Sequence, residues 1–203
     1  MTRNQEPIRC AWAGSDPLYQ RYHDTEWGVP SFDERHLFEM LILEGAQAGL
    51  SWITILRKRE NYREAFDAFD PEKIARYGAD KVASLLANPG IVRNRLKVAA
   101  TIGNAKAYLA LQEGGRTLAS VVWEPFDGRS RDNRIAAPGG VAGVPTTSVE
   151  SDALSKQLAR QGFKFVGSTI LYAYLQAVGC VNDHLAGCFR HDEVAGLGAR
   201  RKR

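Results

Sequence analysis

Four side chains able to bind a metal sit near the two ends of this 203-residue chain. Cys10 and His23 lie in Cys10-Ala-Trp and Tyr22-His23-Asp24, and His184 and Cys188 lie in Asn182-Asp183-His184-Leu-Ala-Gly-Cys188. Two thiolates and two imidazoles suit a closed tetrahedral Zn²⁺ site. The spacing of His184 and Cys188 would put both on one face of a helical turn. A metal joining the two pairs would tie the termini together, a structural role that leaves the chemistry to other residues. The same four also read as small buried thiols and hydrogen-bonded imidazoles, because the pairs are far apart and neither is a CxxC.

Two further groups could carry chemistry. Leu85-Leu86, Asn88-Pro89-Gly90-Ile91 and Val92-Arg-Asn-Arg-Leu-Lys97 read as a helix, a tight turn and a second helix. A glycine turn exposes backbone N–H groups at a helix start, where the dipole favours an anion. Arg93, Arg95 and Lys97 add positive charge there. This suits a DNA phosphate bound without regard to sequence; an ordinary corner between helices with a solvated basic face fits as well. The other group is aromatic: Trp12, Tyr19, Tyr22, Trp27 and Trp52, most of them near Glu44 in sequence or by helix packing. Aromatic faces stack on a flipped base and favour one carrying positive charge. Glu44 could accept a hydrogen bond from a base amino group, and each aromatic could equally be core.

The elements that must position these residues read as helices. Asp16-Pro17 opens a short helix through His23, and Asp33 caps a second carrying Leu37, Phe38, Leu41, Ile42 and Gly45 on one face. Ser51–Arg59 is a third, Arg63–Phe69 and Pro71–Tyr77 are short helices, and Ala79–Ala87 ends at the Asn88-Pro89-Gly90 break. A long helix runs from about Val92 to Gln112. Glu124 to Thr147 reads as loop, with Ala137 to Pro145 extended. Ser151-Asp152 cap a helix over Ala153–Gln161, and Phe163–Val178 is a largely apolar one. No strand alternation is evident, and the expected fold class is all-α.

Hydrophobic residues make up 44% and charged residues 25%, which is ordinary for a globular protein. Three cysteines argue against a disulfide framework and for a reducing compartment. Met1 to Pro7 is polar with no apolar stretch behind it, and no run is long enough to span a membrane. A cytoplasmic monomer without membrane contact is expected. The net charge of +4 is compatible with nucleic acid, although Arg200-Arg201-Lys202-Arg203 supplies part of it.

Leu43-Glu44-Gly-Ala-Gln47-Ala-Gly49-Leu50-Ser51-Trp52 closely resembles the bacterial 3-methyladenine DNA glycosylase I family. So do Cys10-Ala-Trp12, Asp16-Pro-Leu-Tyr19, Tyr22-His23-Asp-x-Glu-Trp27-Gly-Val-Pro30, Gly90-Ile-Val-Arg-Asn-Arg95, Asp152-Ala-Leu-Ser-Lys156, Gly162-Phe-Lys-Phe-Val-Gly167 and Val181-Asn-Asp-His184. The likeness runs from about Arg9 to Cys188. It implies a helix-hairpin-helix glycosylase fold in two closely joined lobes, one of about 33–123 and one of about 1–32 plus 148–190. Residues 124–147 would be loop and 191–203 a flexible basic tail. It also implies structural zinc on Cys10, His23, His184 and Cys188, and base recognition by Glu44, Tyr22 and Trp52 with Trp12 and Tyr19 near by. Gly49-Leu50 would probe the space a flipped base vacates, and Gly90, Arg93 and Arg95 would anchor DNA. Three departures stand out: Ala46 replaces a Gln, which threatens one polar contact on the pocket side; Cys180 matches no family Cys; and Phe-Arg-His-Asp follows Cys188 in place of a Cys-rich tail.

The activity so implied is hydrolysis of the N-glycosidic bond of N3-methyladenine in alkylated double-stranded DNA, releasing the free base and leaving an abasic site. Methylation makes the purine a cationic leaving group, so little acid catalysis is required. Asn88 to Gln112 contains neither Asp nor Glu, which argues against a strong electrostatic stabiliser after the hairpin. No hairpin Lys suggests a Schiff base, so lyase activity is not expected. Two rivals remain from sequence: a zinc-stabilised protein that binds damaged DNA without cleaving it, and a zinc hydrolase. The second needs an open metal position, which four protein ligands would fill.

Overall fold

A computed structural model describes residues 6–136 and 143–198, and its architecture is almost wholly helical. The order is α1 (Pro17–Thr25), α2 (Glu34–Gln47), α3 (Trp52–Ala65), α4 (Pro71–Ala75), α5 (Ala79–Ala87), α6 (Arg95–Glu113), α7 (Leu118–Trp123), β1 (Arg131–Asp132), α8 (Val149–Arg160), α9 (Ser168–Ala177), β2 (Val181–Asn182) and α10 (Arg190–Gly198). Among the described residues no helix is long and apolar enough to cross a membrane.

α2 is the central element. Leu37 through Ala46 are all buried, because α3, α6, α7 and α9 pack around it. Its N-terminus is set by Asp33, which accepts from His36 N–H at 2.7 Å. α1 starts where Asp16 accepts from Leu18 and Tyr19 and Pro17 occupies the first turn. The buried Arg59 of α3 clamps these helices by donating to Glu39 on α2 at 2.6 Å and to Glu26 at the end of α1 at 2.7 Å.

Several sequence boundaries are corrected. α3 continues to Ala65, so no separate helix covers Arg63–Phe69: Trp52, Ile55, Leu56, Arg59, Tyr62 and Ala65 keep one unbroken buried helical stripe. The chain then turns with positive φ at Asp67, Ala68 and Phe69, which returns Phe69 to the core beside Phe66. α6 begins at Arg95 rather than Val92, because Asn94 caps it by accepting from Leu96 and Lys97. α8 begins at Val149, where Ser148 and Ser151 form a reciprocal capping box. α9 begins at Ser168 rather than Phe163: Phe163 is buried, but Phe165 has φ of 55° and breaks the helix. α7 and the parallel pairing of Arg131 with Val181 leave no signal in the sequence pattern. The tail expected to be flexible from residue 191 is helical as far as Gly198. Residues 137–142 of the extended loop and the basic Arg200–Arg203 lie outside the described residues.

Candidate metal centre and base pocket

Cys10, His23, His184 and Cys188 come together, all buried, with their ligand atoms within 4.8 Å of one another. Cys10 precedes a 3₁₀ turn over Ala11–Ala13, His23 sits in the last turn of α1, and the other two follow β2. The expected helical turn from His184 to Cys188 does not form. Non-helical backbone there lets Asn182 accept from His184 N–H, and Cys188 N–H bonds Leu185 C=O.

Three of the six ligand separations match a tetrahedral ion, and all six fall within 4.8 Å. Bonds of ~2.3 Å to sulfur and ~2.05 Å to nitrogen would place S and N about 3.6 Å apart across a tetrahedron. The observed separations are 3.4 Å for Cys188 Sγ to His23 Nε2, 3.6 Å for Cys188 Sγ to His184 Nδ1, and 3.7 Å for Cys10 Sγ to His184 Nδ1. The outer nitrogens are held as a bound metal requires. His23 Nδ1 lies 2.8 Å from Asp24, itself paired with Arg9, and His184 Nε2 lies 3.0 Å from Trp27 C=O. Each contact keeps the proton on the outer nitrogen and leaves a lone pair facing the cluster. Hydrogen bonds from Cys10, then from His184 and His23, pull the Cys188 thiol well down. The cluster can hold a metal ion.

Beside it lies a cavity of about 190 Å³ lined by Trp12, Tyr19, Tyr22, Trp27, Glu44 and Trp52, with Gln47, Val144, Ala173 and Gln176 completing the wall. This exceeds the ~150 Å³ that accommodates benzene and suits one planar heterocycle. Trp12 packs on Tyr19 and Trp27 at 4.9 Å each, and Tyr22 on Trp52 at 5.5 Å. Glu44 is 4% exposed, and neither its Oε2 nor Trp52 Nε1 has a hydrogen-bond partner. Burial pushes the Glu44 carboxyl up to about 8. Burial, and after it the Glu44 charge, raises the Tyr19 and Tyr22 hydroxyls. A buried carboxylate with a free oxygen, walled by π faces, favours a planar ligand that brings donors and positive charge.

All six aromatic and acidic residues singled out from sequence thus share one cavity. Gln176 was missed. Its signal was a polar residue in an otherwise apolar helix, and its amide donates to buried Asp183 at 2.8 Å. Ala46 does not face this cavity: it lines a separate small void with Lys97 and Phe165, so its substitution removes no polar group from the aromatic wall. Cys180 is buried, and burial raises its thiol well above the ordinary range.

The hairpin differs from expectation in its donors. The N–H groups of Gly90, Ile91, Val92 and Asn94 are already bonded to Asn88, Tyr62 and Val92 itself. Lys97 is bonded to Ala46 and Ala48 carbonyls rather than facing outward, and burial lowers its ammonium. Arg93 and Arg95 are exposed and supply the positive charge. Gly49 adopts φ of +79°, and Leu50 beyond it is 42% exposed.

A family model described as methyladenine glycosylase matches residues 12–191. The DNA-3-methyladenine glycosylase 1 of Escherichia coli (strain K12) is 49% identical over 180 residues, covering 89% of this chain and 95% of that protein. A Haemophilus influenzae DNA-3-methyladenine glycosylase is 46% identical over 180 residues, covering 89% and 96%. A solved 3-methyladenine DNA glycosylase I aligns with a TM-score of 0.87 at 52% identity, covering 91% of this chain and all 100% of that one. The Staphylococcus aureus enzyme, solved for its recognition of 3-methyladenine, aligns with a TM-score of 0.86 at 36% identity, covering 90% and 96%.

Proposed function

The chain belongs to the methyladenine glycosylase family, and we propose that it excises N3-methyladenine from alkylated double-stranded DNA as a monofunctional glycosylase. The carrying observation is the buried Glu44 carboxyl, with an oxygen that no residue satisfies, at the wall of an aromatic cavity.

N3-methylation makes adenine a cationic leaving group, so the enzyme has two tasks: to extract the nucleotide and to hold the base while water reaches C1′. Trp12, Tyr19, Tyr22 and Trp52 enclose the base. Glu44 accepts hydrogen bonds from its exocyclic amine and ring edge. The arriving cation restores the charged form of Glu44 that burial disfavours, so base binding at neutral pH releases the proton that Glu44 holds. An uncharged adenine offers no such return, which is the source of discrimination. The absence of any acidic residue from Asn88 to Gln112 agrees with a leaving group that departs without strong electrostatic help. Lys97, engaged with two carbonyls, is no free amine for a Schiff base.

Arg93 and Arg95, exposed beside the Gly90 turn, contact phosphates, while the N–H groups of that turn stay bonded within the chain, and the Gly49–Leu50 loop fills the gap left by the flipped base. The α2–α7 helices form the hairpin-bearing lobe, and the terminal segments with α8 and α9 form the other. Cys10, His23, His184 and Cys188 hold Zn²⁺, whose contribution is structural because four protein ligands close its shell. The enzyme acts as a cytoplasmic monomer and yields free 3-methyladenine.

Chromatography of bases released from methylated duplex DNA tests this reading. Release of 3-methyladenine with 7-methylguanine left in place is expected; no release from a folded, DNA-binding protein refutes it. Glu44→Gln should weaken free 3-methyladenine binding, and an unchanged affinity would remove Glu44 from base recognition.

A further inference from the structure

Lys97 occupies the first turn of α6 beside the two exposed arginines of the hairpin, yet its ammonium turns inward. Nζ donates at 2.7 Å to the carbonyl of Ala46 and at 2.7 Å to that of Ala48. These belong to the carbonyls that the end of α2 leaves without intrahelical partners, where a cation also meets the negative end of the helix dipole. Past that end the chain turns through Gly49, at φ of +79°, to the exposed Leu50. A turn or less before it, α2 carries Glu44. The other end of this link is anchored too: Asn94 caps α6 by accepting from Lys97 N–H at 3.1 Å.

We propose that Lys97 is a positioning residue that fixes the Gly49–Leu50 loop to the hairpin, so that the DNA-backbone contacts and the loop entering the duplex act as one rigid unit. This rests on the glycosylase reading above. Hairpin contact then sets the depth of the loop without any contact between Lys97 and DNA. An ammonium with two short bonds to carbonyls has little left to offer a phosphate, which separates its role from that of Arg93 and Arg95.

The test compares wild type with Lys97→Met and Lys97→Arg. Three quantities are measured: single-turnover release of 3-methyladenine from methylated duplex, affinity for free 3-methyladenine, and the salt dependence of duplex binding. A loop displaced by about 1 Å costs up to roughly 100-fold in rate, so Lys97→Met should lose between about 10- and 100-fold in release. Lys97→Arg, whose guanidinium can span both carbonyls, should recover most of it. Free-base affinity and the slope of log Kd against log salt should stay at wild-type values. A slope reduced by about one would make Lys97 a phosphate contact and overturn the proposal. So would parallel loss of free-base affinity, which marks general damage to α2, or an unchanged release rate. Wild-type protein that releases no base would refute the glycosylase reading itself, an outcome distinct from any of these.

Discussion

Replacing Glu44 by Gln should make the folded protein gain stability relative to wild type as pH rises, whatever fixed cost the replacement carries. Folding lifts the Glu44 carboxyl from its ordinary 4.5 to about 8 by burial alone. The folded state therefore holds this proton more tightly than the unfolded state. The associated stability is whole below pH 4.5 and is lost as pH climbs through 8. At 1.36 kcal/mol per unit the total is about 5 kcal/mol, and the part lost between pH 6 and pH 8 is about 2 kcal/mol. Gln is neutral throughout, so the variant escapes that loss. Any fixed cost of fitting its amide into the cavity is independent of pH. The metal cluster and all other titrating groups are common to both proteins and cancel in the difference. Denaturant unfolding of wild type and Glu44→Gln at pH 6, 7 and 8 measures it. The stability of the variant relative to wild type should improve by about 2 kcal/mol across this range, or roughly 4–8 °C in Tm for a chain of this size. A difference that stays flat with pH would mean that Glu44 is already charged and compensated in the free protein, and would remove the basis for its attraction to a cationic base.

Three further perturbations probe the other parts of the site. Cys188→Ser should abolish stoichiometric metal and lower stability by several kcal/mol, since binding and folding are coupled in such a site; full metal content by elemental analysis would contradict the four-ligand assignment. Arg93→Ala should weaken binding to all duplexes alike and reduce the slope of log Kd against log salt by about one, whereas selective loss for lesion-bearing duplex would speak against a phosphate role. Asn94→Ala removes the side chain that accepts from Leu96 and Lys97 at 2.9 and 3.1 Å, and should cost about 1 kcal/mol of stability in denaturant unfolding; no measurable change would show that the cap is dispensable.

Local signals in the sequence are legible because their physics is local. Asp16-Pro17 and Asp33 mark helix starts because a short acceptor side chain bonds the next N–H groups whatever packs around them. The one apolar face expected for α2 is instead burial all round from Leu37 to Ala46, and the aromatic residues reach Glu44 from the Cys10 segment, α1 and α3 by tertiary packing. Features set by distant partners are not legible. Nothing near residue 131 specifies its pairing with Val181. The break at Phe165 appears only when Gly45 of α2 lies against it, with space so short that an added Cβ would sit 3.1 Å from Phe165. Lys97 reads from sequence as one more cation on a basic face, because its true partners are backbone carbonyls far back along the chain and carbonyls leave no mark in sequence.

The candidate metal cluster and one wall of the aromatic cavity share the segment from Cys10 to Trp27, which gives the distance between them a meaning. Trp12 stands two residues after Cys10, and Tyr22 immediately precedes His23. Trp27, which packs against Trp12, offers its carbonyl to His184. Gly28 N–H continues the link to Gln176 C=O at 3.1 Å, another residue of the cavity wall. Two of the four candidate ligands and four of the cavity aromatics therefore lie along one piece of backbone, so that whatever closes the ligands also bears on the aromatic faces. Before α1 this segment is also held by the ion pair from Arg9 to Asp24 and the backbone bond from Phe189 to Ile8, and α1 itself by Arg57–Asp16 and Arg59–Glu26. A metal held by these four ligands would thus help to set the aromatic wall of the cavity without lining it. Cys188→Ser should consequently lose affinity for free 3-methyladenine under conditions where circular dichroism still reports a helical fold, although Cys188 lines no part of the cavity. Retention of that affinity in metal-free protein would show that the core around α2 holds the aromatic wall by itself.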